Sequence, residues 1–398
     1  MAGASPNQVE VPVEGQILAN GRYIVEVDTA TSEGEEEEAL QRSQVDSTNI
    51  CHHRARSKIN TSEPASAAGN PDSVLVYPVI LFPWLRIPNF GIQLVFESIS
   101  TRSLSEHVIE DIIENDRRYC NDTYTMPNDE SEQTRLSICH QIYLILYEGQ
   151  LTKIPLSPSI SRILDLGTGP GDWAVAIAEQ YPDAEVIATD ISVFDSDSFT
   201  MAPPNLYFQL DDAEHDWSYP HSFDFVHIRG LSGGIQDWPA LYKRVFTHIR
   251  PGGAVQVSDG DLAAGLLRTL SSAPDSYLSI YLAAVRSAAD VAGYPRGLEH
   301  LQTSALAAAG FEEIRTYDID VPVGVWPSDA RGKTLGKMAL IVLLESLEAV
   351  ALRLLTKYMG WSAEGVRDLC EKVQAEVVQG EEITGVMRVA VAKRPGPS

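Results

Sequence analysis

The chain has 398 residues, of which 44% are hydrophobic, and this length allows two domains or one domain with extensions. It carries 30 basic and 55 acidic residues, a formal net charge of -25, which argues against nucleic acid as a partner because nucleic-acid binding needs clustered Lys and Arg. The four cysteines lie far apart without a CxxC pair, which argues against a disulfide framework and a zinc site and is typical of reduced thiols.

Residues 1–99 are predicted to form a largely disordered or irregular N-terminal extension. Up to about residue 70 the segment is rich in Ser, Asn, Pro and Gly and has too few large apolar residues to offset its ordering entropy. The Cys-His-His run at 51–53 has no second ligand cluster near it, so no metal site is predicted. The apolar run at 73–97 is interrupted by prolines and polar residues, so we expect a buried extension or an interface segment rather than a membrane span.

Residues 100–398 are predicted to form one domain, which begins with a helical lead-in. A short helix is predicted over 105–113. A longer helix is predicted over 130–148, because Asn128 or Asp129 can cap its first turn and apolar residues recur along it.

A βαβ unit is predicted between residues 161 and 190. An apolar strand that contains Asp165 precedes a turn with three glycines, Gly167, Gly169 and Gly171. A helix and a second strand follow, and the second strand ends at Asp190. This succession is typical of a unit that holds a nucleotide-type ligand over its glycine turn.

The alternation of strands and helices continues to the C-terminus. Further strands are predicted at 205–210, 223–228, 254–257, 313–321 and 385–392, and further helices at 238–249, 262–292, 299–309, 331–358 and 363–379. We therefore predict an α/β fold with a Rossmann-like, doubly wound, seven-stranded sheet. Residues 155–260 would form the ligand-binding core, and residues 262–310 and 331–379 a helical lid over the carboxyl ends of the strands.

The residue after the third glycine decides which ligand the turn favours. A P-loop needs Lys after its last glycine, and Asp172 in that place would repel a triphosphate. A dinucleotide fold needs an unopposed helix N-terminus for its pyrophosphate, which Asp172 also disfavours.

S-adenosylmethionine suits the pattern better, because it carries a sulfonium and an ammonium group and no phosphate. Asp165 would lie near its positively charged methionine end, and Asp190 would accept hydrogen bonds from both ribose hydroxyls. Asp212, after the third strand, suits the exocyclic amine of adenine, with the Ala213 amide nearby. The alternative interpretation is that these carboxylates only cap helices and turns.

The stretch ILDLGTGPGDWAVAIAEQYPDAEVIATDIS is similar to the class I S-adenosylmethionine-dependent methyltransferases. The runs ENDRRY, MPNDESEQTRL, FDFVHIR and DWPALYKRVFTHIRPGG resemble the fungal LaeA-like family more narrowly. That family includes a regulator of secondary metabolism and many methyltransferases encoded in biosynthetic clusters. The resemblance extends from about residue 100 to the C-terminus.

The resemblance implies S-adenosyl-L-methionine as cofactor, and it also implies the residues that bind it. These are Tyr119, Asp165, Gly167, Gly169, Gly171, Asp190, Ile191, Asp212 and Ala213. Arg229 would lie where the methyl group meets the acceptor. Ala254 and Gln256 stand where relatives often have Trp and Glu, and the run at 384–386 replaces His-Ala-Tyr, so a pocket of different shape is expected.

A catalytic base is needed only if the acceptor is a weak nucleophile, since alignment supplies most of the acceleration in methyl transfer. Asp259, just past the fifth strand of the core, is the best-placed ionisable group for that role, with Arg229 as a second catalytic candidate. His227, inside a strand, is expected to be packed, and His215 is expected to face solvent.

The predicted function is methylation of a small-molecule intermediate of fungal secondary metabolism. The alternative is a LaeA-like nuclear regulator that acts through protein partners, and a third possibility is a fold that has lost methyl transfer. No membrane partner is expected. The first residues lack a basic-then-apolar signal peptide and basic import runs are absent, so we expect a cytoplasmic location, with the nucleus as the alternative.

Overall fold

The computed structural model describes residues 111–192, 194, 202–261, 276–380 and 382–396. The predicted N-terminal extension, with its runs at 51–53 and 73–97, lies outside the described residues, as does the first part of the helix predicted at 262–292. Within the described ranges, no helix is both long enough and apolar enough to cross a membrane.

The described chain begins with an antiparallel hairpin. Strand β1 (Ile112–Glu114) pairs with β2 (Arg117–Tyr119). Asn115 and Asp116, between the strands, have φ values of 51° and 68°, the left-handed backbone that tight hairpin turns require. The helix predicted over 105–113 is therefore wrong at residues 112 and 113, because two residues that tolerate this backbone reverse the chain directly after them.

A seven-stranded mixed sheet forms the centre of the domain, with the order β5-β4-β3-β6-β7-β9-β8. Its strands are β3 (Arg162–Leu166), β4 (Glu185–Asp190), β5 (Leu206–Leu210), β6 (Phe223–Arg229), β7 (Ile249–Asp261), β8 (Glu312–Pro322) and β9 (Thr384–Lys393). Strands β3 to β7 pair in parallel. Strand β9 lies between β7 and β8 and is antiparallel to both. The Rossmann-like seven-stranded prediction is confirmed, and β9 is the strand that departs from a parallel sheet.

The strand order determines where a ligand can bind. β3 lies between β4 and β6, so successive strands are added first on one side of β3 and then on the other. In such sheets the crevice for a ligand opens at the carboxyl ends of the strands near this reversal. The ends of β3, β4, β5 and β6 therefore meet at one edge of the sheet.

Seven α-helices cover the described part of the sheet. They are α1 (Glu130–Leu146), α2 (Asp172–Gln180), α3 (Trp238–His248), α4 (Tyr277–Ala292), α5 (Thr303–Ala308), α6 (Ala330–Arg353) and α7 (Ala363–Gln379). The Asp129 side chain caps α1 by accepting a hydrogen bond from the Glu132 N–H, as predicted. The helix predicted at 299–309 is split into a 3-10 turn and α5, because Gln302 between them adopts an extended backbone.

The buried core consists of three clusters. Apolar side chains of α2 pack on one part of the sheet, and those of α3 and α5 pack on another. A third cluster joins α1, α4, α6 and α7 to the β8–β9 edge. Through this third cluster α1 packs against helices that follow it much later in the chain.

Candidate active site

A pocket opens at the carboxyl ends of β3, β4 and β5. Its walls also include residues from the hairpin segment and from the loop after β6. The lining residues are Tyr124, Leu166, Gly167, Thr189, Asp190, Ile191, Asp211, Asp212, Ala213, Leu231, Gly234 and Ile235. Of the predicted cofactor residues, the pocket therefore brings together Gly167, Asp190, Ile191, Asp212 and Ala213.

Asp190 is the most constrained carboxylate of the pocket. One of its oxygens accepts a hydrogen bond from the Gly169 N–H at 2.8 Å, and the other accepts one from the Ser192 N–H at 2.9 Å. Burial raises the pKa of Asp190 to about 6, although these backbone donors act in the opposite direction. Each oxygen retains a further lone pair, so the carboxylate can still accept hydrogen bonds from a ligand.

The glycine turn folds back onto β4. The N–H groups of Gly167 and Thr168 donate to the Thr189 carbonyl at 2.8 and 2.9 Å. Gly167 has a φ of 72°, and a Cβ atom placed on it would lie 2.4 Å from a Leu231 methyl carbon. The turn therefore has room for glycine alone, in contact with the loop after β6. Gly171 begins α2 and does not line the pocket.

Asp165 lies beneath the turn rather than in the pocket wall. It is 3% exposed. One oxygen accepts a hydrogen bond from the Thr168 hydroxyl at 2.7 Å, and the other is 2.7 Å from His227 Nδ1. The His227 ring stacks on Trp173 with 3.7 Å between centroids, and burial lowers the His227 pKa. Asp165 thus orders the turn, while its direct contact with a cofactor stays a prediction.

Asp212 and Ala213 form the wall after β5. Asp212 accepts a hydrogen bond from the Glu214 N–H at 2.9 Å and lies 3.0 Å from Nδ1 of the exposed His215. The neighbouring Asp211 also lines the pocket, and burial raises its pKa. Asp211 was not selected from the sequence, because a pair of adjacent acids does not reveal which one faces inward.

Tyr119 does not line the pocket, and Tyr124 does. The Tyr119 ring is buried beneath the Arg353 guanidinium, 3.6 Å from its centre, and burial raises the Tyr119 pKa to about 12. Arg353 also donates to the carbonyls of Asn121 and Tyr124 at 2.6 and 2.8 Å. Tyr119 and Arg353 therefore fix the segment that carries Tyr124, a pocket residue that was not predicted from the sequence.

Arg229, at the end of β6, contacts two residues of α1. Its terminal nitrogens are each 3.3 Å from His140 Nδ1, and its guanidinium lies 4.7 Å from the centre of the Tyr143 ring. Burial, together with the charge of Arg229, lowers the pKa of His140 to about 3. His140 is therefore neutral and accepts from Arg229. The sequence signal for these contacts was the three-residue spacing of His140 and Tyr143, which places both side chains on one face of α1.

Asp259 lies inside β7 and not past its end as predicted, because pairing with β9 extends the strand to Asp261, and it is buried with partners. One oxygen is 2.7 Å from His300 Nε2, and the other accepts a hydrogen bond from the Ser232 N–H at 3.2 Å. The His300 ring stacks on Trp238 with 3.9 Å between centroids. Asp259 therefore ties the loop after β6 to the segment after α4. A role as catalytic base stays a prediction, and its geometry favours a role in orienting that loop.

The pocket residues fit S-adenosylmethionine better than a phosphate-bearing nucleotide. Among the described lining residues, three are Asp and none is Lys or Arg, so the wall offers no cation for a phosphate. Carboxylates and backbone groups suit ribose hydroxyls and adenine, and Leu166, Leu231 and Ile235 supply apolar surface. Across the same described ranges, no three His, Cys, Asp or Glu side chains are grouped as metal ligands.

Known proteins similar to this chain are methyltransferases and secondary-metabolism regulators. The model of the family described as "Methyltransferase domain" matches residues 142–288. The methyltransferase pytC of Aspergillus terreus is 32% identical over 287 residues, which are 71% of this chain and 87% of that protein. The secondary metabolism regulator LAE1 of Cochliobolus heterostrophus is 34% identical over 261 residues, 64% of this chain and 84% of that protein.

Among solved structures, the cyclopropane synthase MmaA2 of Mycobacterium tuberculosis matches with a TM-score of 0.41 and 17% identity, covering 64% of this chain and 83% of its own. The phosphoethanolamine N-methyltransferase 2 of Haemonchus contortus, in complex with S-adenosylhomocysteine, matches with a TM-score of 0.39 and 20% identity, covering 64% of this chain and 52% of its own.

Proposed function

Because this chain belongs to the S-adenosylmethionine-dependent methyltransferases of the pytC and LaeA type, we propose that it methylates a small-molecule intermediate of fungal secondary metabolism. The observation that carries the proposal is the pocket at the ends of β3, β4 and β5, with its three aspartates and no basic side chain. The match to a relative named a methyltransferase over 87% of that relative's length supports an enzymatic role.

The proposed roles of the pocket residues follow from their geometry. Asp190 would accept hydrogen bonds from the ribose hydroxyls, because its oxygens are fixed beside the glycine turn. Asp212 and the Ala213 N–H would bind the adenine edge. Asp165 would act through Thr168, which it holds in place. When bound, S-adenosylmethionine supplies an electrophilic methyl group on its sulfonium.

The acceptor would approach from the side of Arg229. The parallel register places Arg229 beyond the β6 residue that pairs with Leu166, the last residue of β3 before the glycine turn. Arg229, His140 and Tyr143 thus line the approach to the turn. Holding the acceptor in line with the methyl group supplies most of the rate in such a displacement.

Isothermal titration with S-adenosylmethionine tests the proposal. The intact protein should bind one equivalent, and Asp190→Ala should bind at least about tenfold more weakly, because it removes charged hydrogen bonds of about 1.5–3 kcal/mol. Asp183→Ala is the matched control and should bind like the intact protein, because Asp183 is exposed in the turn before β4, at the other end of that strand from Asp190. Undetectable binding to the intact protein would refute the enzymatic function, and full affinity of the Asp190 variant would refute the role of Asp190.

A nuclear regulator that acts through protein partners is the second candidate, supported by the 34% identity to LAE1. Disruption of the gene separates the two functions. If the protein is an enzyme, its loss should leave one family of metabolites lacking one methyl group, while transcripts of other biosynthetic clusters stay unchanged. A regulator should lower transcripts of several clusters at once. We propose a cytoplasmic location for the enzyme, and imaging of a fluorescent fusion would distinguish this from the nuclear location that the regulator needs.

A further inference from the structure

A row of arginines lies beside the cofactor pocket in a chain whose net charge is -25. Arg135, on α1, is the one with a carboxylate partner. It binds both Glu132 oxygens, at 2.7 and 2.5 Å, and both side chains are largely buried. This pair is neutral as a unit, so it contributes no net charge to the cleft. The other two members, Arg229 and Arg296, have different surroundings.

Arg229 has no negatively charged partner among its contacts in the described part of the chain. Those contacts are the neutral His140 ring and the face of Tyr143. Burial raises the Tyr143 pKa well above its usual value, so the phenol stays uncharged. A guanidinium carries several donors in a planar fork, and a neutral imidazole nitrogen satisfies only part of that capacity.

Arg296, in the segment after α4, is also without a carboxylate among its contacts in the described ranges. Its terminal nitrogen is 3.3 Å from Met126 Sδ, and its Nε is buried without a hydrogen-bond partner. Burial lowers the Arg296 pKa, which expresses the unfavourable environment of this charge. Leaving a buried charge unpaired is destabilising, and residues with perturbed pKa values cluster at functional sites.

The loop after β6, residues 230–234, connects both guanidinium groups to the cofactor pocket. Arg229, the last residue of β6, directly precedes this loop. A Cβ atom placed on Gly233 would lie 2.6 Å from Arg296 Cζ, so that guanidinium packs directly on the loop. Leu231 and Gly234 of the same loop line the pocket. Both guanidinium groups therefore adjoin the loop that supplies part of the pocket wall.

We propose, resting on the methyltransferase function above, that the acceptor is a small molecule bearing an ionised oxygen acid, a carboxylate or an acidic enolate, and that Arg229 and Arg296 recognise this anion. Guanidinium groups bind such oxygens through paired hydrogen bonds that add geometric specificity to charge attraction. Because the chain as a whole carries a net charge of -25, these two guanidinium groups would supply positive charge that an anionic acceptor needs.

An ionised acceptor also explains the absence of a free base near Arg229 in the described structure. His140 is held neutral with its Nδ1 facing Arg229, and Asp259 is bound to His300 and Ser232. In the proposed step the anionic oxygen forms a bond to the methyl carbon while the S–C bond breaks and its electron pair returns to sulfur. The products are a neutral methyl ester or enol ether and S-adenosylhomocysteine, and no proton has to be removed.

The test uses two aromatic probes of nearly identical shape, 2-naphthoate and 2-naphthamide, which differ in charge. Binding of each to the protein saturated with S-adenosylhomocysteine is measured by saturation-transfer difference NMR. We expect naphthoate to bind at least about tenfold more tightly than naphthamide, the effect of one charged hydrogen-bonded contact. Arg229→Gln and Arg296→Gln should each lower naphthoate affinity towards that of the amide, whereas the corresponding lysine variants should retain part of the preference.

Arg286→Gln is the matched control, since Arg286 is an exposed arginine near the same segment that pairs with Glu299 at 3.3 Å. It should leave naphthoate binding unchanged. Each variant is first titrated with S-adenosylhomocysteine. If the intact protein does not bind S-adenosylhomocysteine, the methyltransferase proposal itself is refuted. Three results would overturn the anion proposal alone, provided that S-adenosylhomocysteine still binds. These are no binding of naphthoate, equal affinity for the two probes, and naphthoate affinity that survives both glutamine substitutions.

Discussion

Binding of S-adenosylhomocysteine should weaken as the pH falls, and this weakening should begin at a higher pH than an aspartate of ordinary pKa would produce. Burial raises the pKa of Asp190 in the free protein from 3.8 to about 6. Ribose hydroxyls donate to the ionised carboxylate, so the complex favours the deprotonated form. Affinity should therefore be complete above about pH 7 and fall as the pH drops through 6, reaching about a tenfold loss at pH 5. An aspartate of ordinary pKa would keep full affinity at pH 5.

Isothermal titration from pH 7.5 to pH 5 measures this dependence. Near pH 6 about half of the free protein carries the Asp190 proton, so binding should release about half a proton, which appears as a dependence of the heat on buffer ionisation enthalpy. Asp211 is a pocket residue that could imitate the effect, because burial raises its pKa as well. If Asp190 is the group responsible, the Asp211→Asn variant should keep the same pH profile.

Asp190→Asn should remove the pH dependence and lower the affinity throughout. Both Asp190 oxygens accept backbone N–H groups, from Gly169 and Ser192, so either orientation of an asparagine amide would place its NH₂ against a donor. An unmade bond of this kind costs about 1–3 kcal/mol, which adds to the loss at the ribose. Affinity of the intact protein that stays constant from pH 7.5 to pH 5, or an Asn variant that keeps the same profile, would refute the reasoning.

Two further substitutions test the walls of the pocket. Gly167→Ala should weaken S-adenosylhomocysteine binding at least about tenfold, because the left-handed backbone disfavours alanine by about 1–2 kcal/mol and the new methyl group would meet Leu231. Adding Leu231→Ala should restore the part of the affinity that is lost to this steric contact. A double variant that binds no better than Gly167→Ala would contradict this explanation. Arg353→Lys should lower the melting temperature, measured by thermal denaturation, because lysine cannot reach both the Asn121 and Tyr124 carbonyls. Titration should show weaker cofactor binding by the same variant. An unchanged melting temperature would show that these hydrogen bonds do not hold Tyr124.

The pocket proposed to bind the cofactor contains several residues selected from the sequence, because it lies at consecutive strand ends. Local alternation identifies β3, β4 and β5, and the acids that follow these strands then meet at one edge. Which of them faces the ligand depends on register, which is not local. Asp165 pairs opposite His227 in the parallel ladder, so their side chains share a face and satisfy each other inside the core. From the sequence, Asp165 was predicted to lie near the methionine end of the cofactor because it precedes the glycine turn, and that contact stays a prediction.

Long-range packing explains the other differences. Tyr119 was expected at the cofactor, yet Arg353, at the far end of α6, covers its ring. A partner more than two hundred residues away leaves no local pattern from which to predict it. The hairpin was missed for the opposite reason. The Asn115-Asp116 turn was present in the sequence, and the apolar residues before it were interpreted as a helix face instead.

The residues proposed to bind the methyl donor and those proposed to bind the acceptor come from different parts of the chain. The donor pocket is formed mainly by one continuous stretch of strand ends, from Leu166 to Ile235, so a local motif is enough to identify the methyl donor. The groups around Arg229 come instead from α1 and from β7. A substitution in either of these elements can change the acceptor without altering the donor pocket. Relatives that share the donor motif can therefore differ in what they methylate, and the arginines beside the loop after β6 are where this chain should be compared with them first.

The helices predicted as a lid reach the pocket through Arg353. This residue, at the C-terminal end of α6, is 1% exposed and binds the segment that carries Tyr124. If α6 and α7 act as a lid, movement of α6 would be transmitted to the pocket by these hydrogen bonds, because a buried guanidinium that loses its carbonyl partners is strongly disfavoured. Closing of the lid and ordering of Tyr124 would then be one event, and the Arg353→Lys substitution would uncouple them.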